Sequence, residues 1–249
     1  MISRRKAMFG MAAMALASAA SLGQDETDWQ TALREAIENK DPATLGGRVP
    51  PPDDPSWREA HAVLSSAPSK GTPFGVARYF VGSVPLKYQQ AWPEPDPRHP
   101  TLANPVIVLF FLATNTNPSG DTTAWCSAFV NWCVERVGLK GTKSASSQSF
   151  ADLNWGKEVW KRGGSEELPV NAKTGDIAIF QRLSDPRLGH VCFFSKLSDT
   201  QPKSIEVLGG NQILRSGGQR LHLIDVRTLG MGGDLKLRSV RTAKGLRYA

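Results

Sequence analysis

The sequence predicts an α+β domain in which helices pack on one face of an antiparallel sheet. Two observations carry this. In residues 121–138, Cys126, Phe129, Val130, Cys133 and Val137 fall at i, i+3, i+4, i+7 and i+11, one narrow apolar stripe at about 100° per residue. Downstream, residues 176–180, 189–195, 204–208 and 219–226 alternate or run apolar over strand lengths, with Gly- and Asn-rich turns between them.

Taken in order, the chain opens on Arg4-Arg5-Lys6, an uncharged Ala- and Met-rich run over 7–22, and the small residues Ala17-Ser18-Ala19. That is the layout of an export signal, expected over 1–19. Ser3-Arg4-Arg5 is similar to a twin-arginine signal, but Ala7 and Met8 stand where bulkier residues are usual, so the route stays open. The run is too short and too weakly apolar for a membrane span. The mature chain is expected to be periplasmic or extracellular, without a stable membrane anchor, and monomeric.

Residues 20–103 read as a helical, Pro-rich region. Trp29, Leu33 and Ile37 mark a helix over 25–40; Pro50-Pro51-Pro52 and the run 92–97 are stiff and irregular; 56–66 and 73–81 fit two short helices. A cysteine-bearing domain is expected over 104–230. Asn104-Pro105 offers a cap and a first-turn proline, which favours a short buried helix over a strand for 104–114. The cysteine helix follows, capped by Thr122 or Thr123 and ended by Gly138, with Asn131 and Glu135 on its wet side. Asp121 reads as a residue at the helix start. Residues 146–155 fit another helix, with Phe150 and Leu153 inward. The third strand ends at Gly209-Gly210-Asn211. Residues 231–249 are expected to be a solvated basic tail.

Charge and cysteine count bound the function. The formal charge is +7, and three of those charges sit in the expected signal. The remainder is mild: it suits an anionic polymer surface, and without a basic stripe interleaved with aromatics it gives no nucleic-acid signature. Three cysteines are odd for an exported chain. A Cys133–Cys192 bridge beside a free Cys126 fits the count, and so do three free thiols.

A thiol in the first turn of a helix meets the positive end of the dipole and free N–H groups, which favour thiolate. Taken alone, such a cysteine is more often a small buried hydrophobe. A nucleophile needs a base, and the base needs an orienting group. Of four histidines, His61 and His99 lie in the irregular first half and His222 in a late strand. His190 follows a glycine at the start of a short strand and shares a face with Cys192 and Phe194. If that face packs on the helix stripe, His190 meets Cys126, and Cys192 lies nearer Cys133. Asn211 fits both an orienting amide and a plain turn residue; Glu206 and Asp225 are alternative orienters. No spacing of His, Cys, Asp or Glu matches a zinc motif, and no cofactor is expected.

Together these residues resemble a known group. The run Trp125-Cys-Ser-Ala-Phe-Val-Asn-Trp132 is similar to the nucleophile helix of the CHAP and NlpC-like cysteine amidohydrolases and peptidases, in particular small bacterial and phage cell-wall hydrolases. The Asn-Pro helix before it, Gly-Thr-Lys-Ser-Ala over 141–145, Thr-Gly-Asp-Ile-Ala-Ile-Phe over 174–180, Gly189-His190-Val191 and Val-Leu-Gly-Gly-Asn-Gln over 207–212 resemble that group in the same order. The resemblance covers about 104–226. It implies a papain-like fold, Cys126 as nucleophile, His190 as base and Asn211 as orienter, with Cys133 and Cys192 as core. Some relatives carry Glu two residues before the Asn; Gly209 stands there, so an acidic assistant is not expected.

The expected activity is hydrolysis of a peptidoglycan amide through a thioester. The cheapest oxyanion donors are backbone N–H groups at the helix start, those of Cys126 and Ser127. Trp125, Trp132 and Trp155 fit either a substrate groove or helix core. Two other classes remain open: a non-catalytic wall-binding or scaffold protein on the same fold, and an acyltransferase that uses the same Cys-His pair.

Overall fold

The computed structural model describes residues 49–92, 102–216 and 218–247. The expected export signal, the helix over 25–40 and His99 lie outside them. The chain divides into Met1–Pro42 and Ala43–Ala249, and every described element belongs to the second unit. These elements are α1 (Ser56–Ser65), α2 (Pro73–Ser83), α3 (Leu86–Gln89), α4 (Pro105–Phe110), which tightens into a 3-10 turn (Phe111–Ala113), and α5 (Cys126–Arg136). A second 3-10 turn (Ser149–Ala151) precedes six strands: β1 (Lys157–Lys161), β2 (Ile177–Arg182), β3 (Gly189–Leu197), β4 (Ser204–Ser216), β5 (Gln219–Gly230) and β6 (Leu235–Thr242). Helices first and one antiparallel sheet after them make an α+β domain.

Capping explains the helix starts. Thr72 accepts from the Gly75 N–H ahead of Pro73, and Asn104 accepts from the Val106 N–H ahead of Pro105. All six residues of α4 are buried, so its apolar run is a core helix, as the Asn-Pro start predicts. The α5 helix differs at its start: Trp125 takes the cap position with no side-chain cap, and neither Thr122 nor Thr123 caps it. It ends as expected. Gly138 has φ of +79°, and the Leu139 N–H closes on the Val134 carbonyl at 3.2 Å.

The helical layer is aromatic. Phe80 of α2 meets Phe110 of α4 and Phe129 and Trp132 of α5 edge-on, with ring centroids 5.4, 5.6 and 5.7 Å apart. Arg136 binds the carbonyls of Ser65 and Ala67, each at 2.9 Å, and so holds the end of α1 to α5. Residues before 104 are therefore part of this layer.

The sheet order is β1-β6-β2-β3-β4-β5, with every pairing antiparallel. Three of the strands differ from the sequence expectation, and β1 is one that it did not include. Residues 235–242 are strand β6, inserted between β1 and β2, where a solvated tail was expected. The Lys and Arg residues hid the pattern: Leu237, Ser239, Val240 and even Arg241 are buried. Arg241 is fully used there, donating to the carbonyls of Trp155 and Gly156 at 3.0 and 3.1 Å. The third expected strand does not stop at Gly209-Gly210-Asn211; β4 continues to Ser216 through a bulge and pairs with β5 along its length.

Residues 146–155 form only one 3-10 turn rather than a helix. Asp152 accepts from the Asn154 N–H at 2.8 Å, a local bond that competes with a helical turn. Phe150 is buried against Trp155, but Leu153 is 85% exposed, against the inward position expected.

Beyond β6 the chain is still anchored. Arg247 binds Asp176 with two hydrogen bonds of 2.7 and 2.6 Å, and Asp176 is completely buried. Replacing Arg247 with Ala leaves that carboxylate without its counter-charge. The expected outcome is a loss of about 3 kcal/mol in unfolding free energy by urea titration, where a solvated tail would give less than about 0.5 kcal/mol.

Candidate functional site

A cleft of about 580 Å³ opens where the tip of α5 meets the ends of β3 and β4. Cys126, His190, Asn211, Gln212 and His222 all line it. How it arises is a matter of register. Strand β3 pairs with β4 only from Phe193 and Leu208 onward, so His190 and Val191 extend past that ladder. Strand β4 then bulges between Gly209 and Gln212, with Asn211 at φ +59°. The tip of α5 fills the space this leaves.

The face expected to bind the helix is the wrong one. Cys192 and Phe194 belong to a core cluster with Ala178, Phe180, Trp160 and Leu237 that includes no α5 residue. The opposite face turns to the helices, as Phe193 does in packing on Phe74 of α2 at 6.2 Å between ring centroids. Cys192 therefore does not lie beside Cys133. Cys126 still reaches the His190 end of the strand, because the Val191 N–H, unpaired by β4, is directed at its sulfur. All three cysteines are free and buried.

The electrostatics also differ from expectation. Burial pushes the Cys126 thiol up, and this outweighs the N–H groups of Val191, Ser127 and Cys126 itself, which pull it down. The helix tip supplies the donors foreseen, but the site is too dry for them to prevail. His190 is pushed down to about 4 by burial, with a hydrogen bond to Gln212 opposing the shift. Its Nε2 is buried without a hydrogen-bond partner, although the ring lines the cleft. A neutral imidazole and a neutral thiol therefore line one cleft.

Asn211 does not hold the His190 ring. Its side-chain oxygen is paired with Nδ1 of His222 at 2.7 Å. Gln212 is the amide against His190, and its own Nε2 donates to the Asp225 carbonyl at 3.2 Å, which fixes the side chain. The bulge is the physical reason: one extra residue in β4 shifts the facing of every later side chain. Gly-Gly-Asn was the available signal, since an Asn at positive φ after two glycines is bulge chemistry as much as turn chemistry. Glu206 accepts from Ser195, and Asp225 pairs with Arg227, so neither alternative orienter is used on the histidine.

Trp125 lies outside the cleft. It is fully buried, stacked on Phe110 at 6.3 Å between ring centroids, and packed against Gly210. Trp132 belongs to the helical layer, and Trp155 packs on Phe150. The Ser127 hydroxyl donates to the Ser144 carbonyl at 2.7 Å, so only its backbone N–H is available to the site. Asp121 accepts from the backbone of Trp92 and Asn104 at 2.7 and 2.8 Å and fixes the loop before α5.

Asn131, expected on the wet side, is completely buried. Its amide binds the Ser127 and Ser144 carbonyls and accepts from the Thr142 N–H, clamping the loop that brings Ala145, Ser146 and Ser147 to the cleft wall. Among the described residues, no group of three or more His, Cys, Asp or Glu side chains is placed to hold a metal ion.

Comparison with known proteins agrees with this layout. No curated protein and no solved structure matches the chain. Residues 118–211 match the CHAP domain family, a stretch that runs from the loop before α5 through the β4 bulge and takes in Cys126 and His190. CHAP domains are generally cysteine- and histidine-dependent amidases or peptidases, and CHAP hydrolases act on peptidoglycan. Over residues 118–211, then, this chain is similar to the CHAP domain family.

Proposed function

We propose that this protein is an exported peptidoglycan hydrolase that cuts a cell-wall amide through Cys126, His190 and Gln212. One observation carries the reading: in one cleft, a sulfur at a helix tip shares the space with a buried imidazole whose Nε2 has no partner. A buried nitrogen left unsatisfied costs stability unless something else needs it. The arrangement fits a papain-like cysteine hydrolase. The basic, apolar and small-residue pattern of 1–19 supports export to the compartment that holds the polymer.

In this mechanism the Cys126 thiol gives its proton to the His190 imidazole as the sulfur attacks the amide carbonyl. The resting pair is neutral, so the charge separation develops only with bond formation. The N–H groups of Cys126 and Ser127 already converge on the sulfur and take up the oxyanion. His190 then protonates the departing amine, and water attacks the thioester with His190 as base. Gln212 lies against the imidazole and orients the ring.

Three outcomes follow. Cys126→Ala abolishes the loss of turbidity on purified cell walls while far-UV circular dichroism stays that of the parent; a lytic variant refutes the assignment. His190 held near 4 stays a base down to low pH, so kcat/KM should be flat between about pH 5.5 and 8 and fall on an acid limb near 4, not near the 6.5 of a free imidazole. The same depressed value means that the stabilisation from keeping His190 neutral is complete above 6.5 and lost as pH falls through 4. Third, Gln212→Ala lowers kcat about 100-fold by freeing the ring. Asn211→Gly, which preserves the positive φ, costs far less. Steady-state kinetics on solubilised wall fragments separates the two.

A further inference from the structure

Past the bulge, β4 and β5 leave the rest of the sheet and continue as a two-stranded ribbon beside the cleft. Along this ribbon Ile213 pairs with His222 and, two residues further out, Arg215 pairs with Arg220. Directly paired residues share a face, and so do alternate ones along a strand. Ile213, His222 and Arg220 all line the cleft, so Arg215 lies on the cleft face too. Two like charges directly opposite each other destabilise a ribbon unless an anion lies between them.

The other cleft arginines are engaged. Arg182 lies 3.8 Å from Asp234, Arg187 is held by Asp185 at 2.9 Å and Arg227 by Asp225 at 2.9 Å. Among the described residues, Arg215 and Arg220 have no carboxylate within 4 Å, and no Asp or Glu lines the cleft. Paired guanidinium forks match a carboxylate in both charge and geometry.

We propose that Arg215 and Arg220 form a carboxylate subsite that selects stem peptides with a free carboxylate about three residues from the amide attacked by Cys126. The reach comes from the strand itself. Gln212 touches His190, and three residues of strand on to Arg215 cover about 10 Å, which an extended substrate peptide spans in about three residues. Because Arg220 lines the cleft that holds Cys126, the anion belongs to the substrate and not to a separate polymer. This inference rests on the hydrolase reading and adds the substrate's charge to it.

The test compares a sugar–peptide wall fragment carrying free carboxylates with the same fragment after conversion to carboxamides. The parent enzyme should favour the free form by about tenfold in kcat/KM. In Arg220→Gln the ratio falls to about one, and in Arg220→Glu below one. Arg220 is exposed, and a thermal melt matched to the parent verifies the fold of each variant. A parent ratio of one, or an undiminished ratio in Arg220→Gln, overturns the subsite. If neither fragment is cut, the hydrolase reading fails separately. Calorimetric affinities of Cys126→Ala for the two fragments then decide the subsite alone, with equal affinities overturning it.

Discussion

Gly210 has no side chain where α5 crosses β4, and the helix needs that space. A Cβ there would strike the Trp125 ring and stand 2.8 Å from Cβ of Phe129. Gly209 is equally restricted on the other face, where a Cβ would come within 2.7 Å of Cβ of Cys192. The two glycines let the helix settle onto the sheet at its bulge, with backbone approaching side chain at van der Waals range. Seated there, the first residue of α5 is Cys126, at the rim where the Val191 N–H has lost its ladder partner. The sulfur, the imidazole and the cleft all follow from this one close approach.

The same approach sets the electrostatics. Tight seating removes water from the helix tip, and dryness acts on the two reactive groups in opposite directions, raising the thiol and lowering the imidazole. Both changes favour the uncharged pair. A helix N-terminus in contact with water would tilt the balance to thiolate; in the proposed hydrolysis its N–H groups instead meet the charge that arrives on the substrate carbonyl. Preorganised donors in a dry pocket are worth more than the same donors in water, because they need no reorganisation as the charge forms.

Support for the site comes from distant parts of the chain. Asn131, buried in the middle of α5, holds the loop that forms one cleft wall. Asp121 ties the loop before α5 to Trp92 and Asn104. Strand β6 closes the sheet beside β2, and Arg247 ties the chain beyond it to Asp176. The CHAP match ends at residue 211, yet Gln212 and the β4–β5 ribbon follow it directly and complete the cleft.

Local pattern was enough for much of this. The stripe from Cys126 to Val137, the Asn-Pro start of α4, the Gly138 stop and the apolar runs of β2 and β3 are all properties of neighbouring residues, set by periodicity, capping and backbone freedom. They sufficed to single out Cys126 and His190, since one is defined by a helix start and the other by a strand start. What sequence alone left undecided depends on partners far away. Leu237 and Val240 read as part of a charged tail until β1 and β2 lie on either side of them. Asn131 looks wet until its loop folds over it. The choice of Gln212 over Asn211 is fixed by one inserted residue in a ladder, because side chains alternate with a period of two and a single extra residue exchanges the facing of those beyond it. Periodicity names the elements; only their pairing tells which atoms meet.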